Sequence, residues 1–312
     1  MPGFPFNIWS RIRSWFVAPD AHRSRLTKLI SRVSVEFTAC MMFHFIGSIS
    51  PTPWANGIAL TVLVYYTAKI SGAHLNPAVT LTFCLLGHTH PIDALMYWVA
   101  QVTGCAAGAL WIAGLVPGLN MRNAPSGEFQ ALSGCFTPAA ALTPFQVFAW
   151  ETVSTTCFIV PIFSVVWYTQ HKNGYGNSGP LIVGLSLAAN ALACGRFTGA
   201  SLNPARSLAS PIVFQCPYPV YSYVLGELLG GILATLAVVP WYGISRSAWY
   251  RVPSFFFGLT MKNQRSIKLQ TISEVDSVVQ TRVQLPSTIS ASDICDEASA
   301  PSSPGLASIQ EV

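Results

Sequence analysis

Charge is what this sequence has least of. Only 9% of its 312 residues are Asp, Glu, Lys or Arg, against roughly 25% in soluble domains. Mean hydropathy is +0.46 and 51% of the residues are hydrophobic. This balance excludes an ordinary soluble domain and points to a chain that crosses a membrane several times. Basic residues are scarcest in the middle. Between Val33 and Ser245 only Lys69, Arg122, Lys172, Arg196 and Arg206 occur, and the other twelve lie in the two ends. The net charge of +5 therefore belongs to the ends. It fits basic segments beside anionic lipid better than nucleic-acid binding.

Other features are missing too. The first 32 residues are basic and broken by Pro and Ser, without the clean apolar core and small-residue cleavage site of a signal peptide. The eight cysteines (Cys40, Cys84, Cys105, Cys135, Cys157, Cys194, Cys216 and Cys295) include no CxxC pair. No metal site and no cofactor is expected, and most thiols read as small buried hydrophobes. Cys135, Cys194 and Cys216 could face the outside, which leaves a disulfide among them open, although free thiols are the preferred reading. No nucleophile–base pair and no phosphate-cradling glycine loop is visible, so enzyme chemistry is not expected.

What the sequence does have is long apolar runs. Six stretches, about 33–50, 54–70, 92–116, 145–168, 180–196 and 220–243, approach the roughly 20 residues needed to span a bilayer. Two more, 77–87 and 204–214, are too short to span. Each opens with Pro directly after Asn, and Pro suits the first position of a helix because its missing N–H would be an orphan there. The expectation is an all-α membrane protein with six transmembrane helices and two re-entrant half-helices. Residues 1–30 read as a basic cytoplasmic segment, 31–245 as the membrane domain, and 246–312 as a mostly disordered cytoplasmic tail. Arg265-Ser266 and Lys268–Thr271 could be kinase sites there, an unmodified tail being the plainer reading. With the N-terminus inside, fourteen basic residues lie inside and three outside, so both termini are expected in the cytoplasm. The plasma membrane is preferred over an internal one.

The halves repeat. Glu36 in an apolar helix is followed by Asn76-Pro77-Ala78, and Glu151 in another by Asn203-Pro204-Ala205. Three spanning helices per half is an odd number, so the second half enters from the opposite side, as in the inverted repeats of transport proteins. Non-helical backbone at membrane depth must be buried in protein or line a cavity. Two half-helices would then meet near the midplane with electropositive N-termini facing each other. Asn76 and Asn203 would offer amide N–H donors there. Glu36 and Glu151 would accept from exposed amides of the segments carrying the half-helices, a structural role being preferred over proton transfer.

The segments Ser71-Gly-Ala-His-Leu-Asn-Pro-Ala-Val-Thr80 and Thr198-Gly-Ala-Ser-Leu-Asn-Pro-Ala-Arg-Ser207, with a Glu in the first helix of each half, resemble the aquaporins of the major intrinsic protein family. The resemblance covers about residues 30–245. It implies a homotetramer with one pore per subunit, passing water or small neutral solutes. It also assigns a selectivity filter to Asn56, Ala191, Ala200 and Arg206, and a pore-lining place to His74. An Arg at such a mouth offers five donors and positive charge.

Strictly water-selective members carry an aromatic and a histidine where this chain has Asn56 and Ala191. That departure predicts a wider filter, open to glycerol, urea or hydrogen peroxide. Ser207 instead matches water channels, since glycerol-conducting relatives generally carry Asp there. Tyr223 and Val224 match two diagnostic positions of the last helix. Pro211 and Glu227 depart from the family pattern and receive no role at this stage. His44 reads as a core histidine. The glycine pairs Gly104/Gly108 and Gly226/Gly230 read as close helix packing. Loop 171–179 reads as a connector rather than a gate. The competing functions are a coupled secondary transporter, for which only Glu36 and Glu151 qualify as ionisable groups near the midplane, and a non-conducting scaffold with the channel fold.

Overall fold

A computed structural model describes residues 25–50, 52–119, 121, 132–169 and 178–242, all within the compact unit Met1–Arg251. The basic N-terminal segment up to residue 24, the loop at 171–177 and the tail with its candidate kinase sites lie outside the described residues, as do Arg122 and Lys172.

Eight α-helices are described, and no strand is present among the described residues. They are α1 (Arg25–Ile49), α2 (Pro53–Thr67), α3 (Pro77–Leu85), α4 (Pro91–Leu115), α5 (Pro144–Thr169), α6 (Gly179–Thr198), α7 (Pro204–Val213) and α8 (Val220–Tyr242). Their starts follow local chemistry. Pro stands at the first or second helical position of α2, α3, α4, α6 and α7, where it gives up no intrahelical bond. Asn76 and Asn203, both in extended conformation, cap α3 and α7 by accepting from Ala78 N and Ala205 N. That satisfies one orphan donor at each tip.

Five helices, α1, α4, α5, α6 and α8, are long and apolar enough to cross a membrane. The sixth expected span, α2, has only 15 helical residues. Its hydrogen-bonded track nevertheless continues, with Ala68 N donating to Val64 O, Ser71 N to Thr67 O and Gly72 N to Ala68 O. The half-helices α3 and α7 have 9 and 10 residues.

The packing obeys a two-fold exchange of repeats. α1 packs on α4 as α5 packs on α8, and α1 meets α2 as α5 meets α6. Each half-helix leans on the last helix of the other half, α3 on α8 and α7 on α4. The glycine pairs explain how closely the first and last helices approach. A Cβ at Gly104 or Gly108 would overlap the carbonyl oxygen of Phe37 or Met41 on α1. One at Gly226 or Gly230 would meet that of Phe148 or Thr152 on α5 at 2.6 and 2.7 Å.

Polarity is arranged inside out. Glu36, Glu151, Glu227, Gln101 and Arg206 are buried, while Ile58, Val99, Leu110, Val153, Leu185 and Leu236 are exposed. Such a surface is stable against lipid, not water.

One sequence expectation is overturned. Cys135 and Cys216 form a disulfide across 81 residues, while Cys194 is a buried free thiol that accepts from Ser154 Oγ. Spacing along the chain does not reveal that Cys135, between α4 and α5, lies beside Cys216, after α7.

Gly104→Val should lower the thermal unfolding midpoint in detergent, an overpacking cost of about 1–3 kcal/mol. Gly114→Val should leave it nearly unchanged, because nothing lies within 4 Å of a Cβ at Gly114.

Candidate functional site: two half-helix tips and the cavities beside them

The loops that lead into the two boxes share one backbone path. Ala73 and Leu75 in the first, and Ala200 and Leu202 in the second, have φ between 50° and 55°, a left-handed conformation that non-glycine residues seldom adopt. Buried acids hold both paths. Glu36 accepts from His74 N at 3.0 Å, Leu75 N at 2.7 Å, Ser71 Oγ at 2.5 Å and Gln101 Nε2 at 2.9 Å. Glu151 accepts from Leu202 N at 3.0 Å, Ser201 N at 3.3 Å and Thr198 Oγ1 at 2.6 Å. A buried carboxylate is stable only with such donors, and strained turns persist only where surrounding contacts over-determine them.

The boxes meet through their asparagines. Asn76 Nδ2 donates to Leu202 O at 2.6 Å and Asn203 Nδ2 donates to Leu75 O at 2.8 Å. Each Oδ1 is committed to its own helix cap, which fixes which end of the amide faces the other loop. One N–H of each amide therefore goes to the opposite loop, and one remains.

Two cavities adjoin the boxes. The smaller, about 140 Å³, is lined by both asparagines, by His74, and by apolar walls that include Val79, Phe158 and Ile162. His74 stacks on Phe83 with ring centroids 4.9 Å apart, and its Nδ1 lies 3.1 Å from Thr80 Oγ1. The larger, about 420 Å³, is lined by Asn56, Ala191, Ala200 and Arg206 together. The cavities share Leu187 and adjoin at the consecutive residues Ala200 and Ser201.

Arg206 is 5% exposed. Its Nε is buried without a hydrogen bond. The guanidinium carbon lies 5.0 Å from the Phe43 ring centre and 5.7 Å from that of Phe136, a cation–π arrangement. Asn56 Nδ2 donates to Gly47 O and Thr52 O, which leaves its Oδ1 buried and unpartnered.

Profile comparison matches residues 26–238 to the family described as Major intrinsic protein. The chain belongs to the major intrinsic protein family. Aquaporin TIP2-3 of Arabidopsis thaliana is 33% identical over 182 residues, covering 58% of this chain and 68% of that protein. The lens fiber major intrinsic protein of Homo sapiens is 32% identical over 216 residues, 65% and 78% of the respective chains. The fold is also that of the X-ray structure of the aquaglyceroporin from Plasmodium falciparum, with a TM-score of 0.57, 18% identity, and coverage of 69% of this chain and 96% of that one. Members of the major intrinsic protein family are membrane channels, not enzymes, and this chain is such a channel.

Several side chains at the site were not found by sequence reasoning. Glu227, left without a role, is a third buried acid: its Oε1 accepts from Asn203 N at 3.0 Å and Ser207 Oγ at 2.8 Å. Glu36 and Glu151 are thus not the only ionisable groups at the boxes. Pro211, also unassigned, has no N–H to give to Ser207 O four residues back, and Tyr218 Oη donates to that carbonyl at 2.7 Å. Tyr223 does not line either cavity. It is fully buried, donates to Thr198 O, and stacks on Phe136 at 5.4 Å. Phe136 lies in an irregular segment with no apolar period, so no local pattern pointed to it. His44 is buried as expected, with Nε2 3.3 Å from Ser210 Oγ, but its Nδ1 has no partner.

Removing the hydroxyl with Tyr218→Phe should leave Ser207 O unsatisfied. Thermal unfolding should register a loss of about 1–3 kcal/mol.

Proposed function

We propose that this channel passes water and small neutral solutes of the glycerol, urea or hydrogen peroxide class and excludes protons and ions. The observation that carries the reading is the pairing of two electropositive half-helix tips with a guanidinium beside them whose Nε has no hydrogen bond. Asn76 and Asn203 each keep one N–H free for a passing oxygen, while apolar walls leave a solute few other partners. Cations meet two helix N-termini and Arg206, all of one sign. Neutral molecules lose water on entry and regain hydrogen bonds at Arg206 and at the asparagines.

In this reading Asn56, Ala191, Ala200 and Arg206 form the selectivity filter. Pro77, Ala78, Pro204 and Ala205 complete the boxes. Glu36 and Glu151 support the half-helices, and His74 lines the pore. Two alanines lining the same cavity as the guanidinium favour a filter wider than a strict water pore. The working unit is a homotetramer in the plasma membrane, with residues 31–245 as the channel domain, the 1–30 and 246–312 segments cytoplasmic, and no cofactor.

Ala191→His should narrow this filter. In stopped-flow swelling of proteoliposomes, glycerol permeability should fall by about tenfold, roughly 1.4 kcal/mol of barrier, and water permeability by much less. Equal losses for both would contradict the assignment.

A further inference from the structure

The two-fold relation between the repeats has a charged exception. Aligned by their boxes and by their helix-packing glycines, the halves pair Asn76 with Asn203, Thr80 with Ser207 and Gly104 with Gly226. Arg206 then corresponds to Val79, and Glu227 to Cys105. Both counterparts are neutral and buried. Two residues of opposite charge thus enter the second half together, on α7 and on α8.

Arg206 needs compensation. Among the described residues it is the buried Lys or Arg, and no carboxylate stands at ion-pair distance from it. A guanidinium taken out of water without an opposing charge is costly. Glu227 is fully buried and is hydrogen-bonded to two residues that flank Arg206 in the chain. It grips Asn203 N and Ser207 Oγ, the residues that bracket Arg206 in the first turn of α7, and its second oxygen is buried without a donor. If gripping the turn were its whole role, a neutral acceptor would serve as well. At the first box, where Val79 replaces the arginine, no acid occupies the corresponding place.

We propose that Glu227 is the counter-charge of Arg206. It offsets the guanidinium through the turn that carries it rather than by contact. A direct ion pair would occupy the donors of Arg206, whereas here Arg206 lines the larger cavity with no carboxylate against it. The last point rests on Arg206 being a solute contact; the charge pairing does not.

The test is a double-substitution cycle on the purified full-length chain, read as the thermal unfolding midpoint in detergent. Glu227→Gln keeps the shape and one acceptor oxygen, removes the charge, and adds an amide NH2 in both backgrounds alike, so the difference between backgrounds reads the charge. It should lower the midpoint in the parent, and leave it unchanged or raise it beside Arg206→Met. If Glu227→Gln alone yields no folded protein, recovery of folded protein in the double variant is the same result. An equal drop in both backgrounds, no drop in the parent, or failure to fold in both would overturn the pairing. Solute flux through the parent channel tests the other reading separately. A protein that passes no solute yet shows the background-dependent midpoint would retain the pairing and lose the conduction role.

Discussion

Each box asparagine faces two ways, and the rest of the structure depends on that. Its carbonyl oxygen caps its own half-helix, and its amide nitrogen crosses to the loop of the other half. Those two reciprocal bonds tie tips that no continuous helix connects. They also fix the orientation of the amides, and hence the remaining donors at the point where the repeats meet. Without them, two short apolar helices would have no reason to stop at the same depth.

Such an arrangement needs backbone that is neither helix nor strand inside an apolar environment, and every polar group there must find a partner. The solution is local and repeated. One buried acid per loop gathers the amides that the left-handed residues expose, Glu36 for the first loop and Glu151 for the second. The second loop then carries more. Arg206, the Phe43 and Phe136 rings against it, Glu227 behind it and the Cys135–Cys216 disulfide all gather on that side. Symmetry supplies the scaffold of the two boxes, and its breaking makes the second one chemically distinct.

Much of this was legible in the sequence, because the signals are local or repeated. Asn-Pro marks a helix start, ten apolar residues mark a stretch too short to span, and an acid in an apolar helix announces a buried acceptor. The register of the glycine pairs could be read in the same way. What stayed hidden comes from residues brought together by the fold alone. Phe136 reaches Arg206 from an irregular segment. Tyr218 answers a carbonyl freed by a proline seven residues earlier in the chain, a relation that no helical period encodes. Glu227 looked anomalous in the sequence, but its partners Asn203 and Ser207 lie on another helix. The disulfide is hidden for the same reason. Its cysteines stand in segments whose proximity depends on the closure of the whole bundle.

The most direct test of the central claim is a side-chain-resolution density map of the purified channel in a lipid nanodisc. The account predicts Asn76 Nδ2 against Leu202 O and Asn203 Nδ2 against Leu75 O, at hydrogen-bond distance and beside a water-accessible cavity. Asparagines far apart, or either one turned toward lipid, would contradict it.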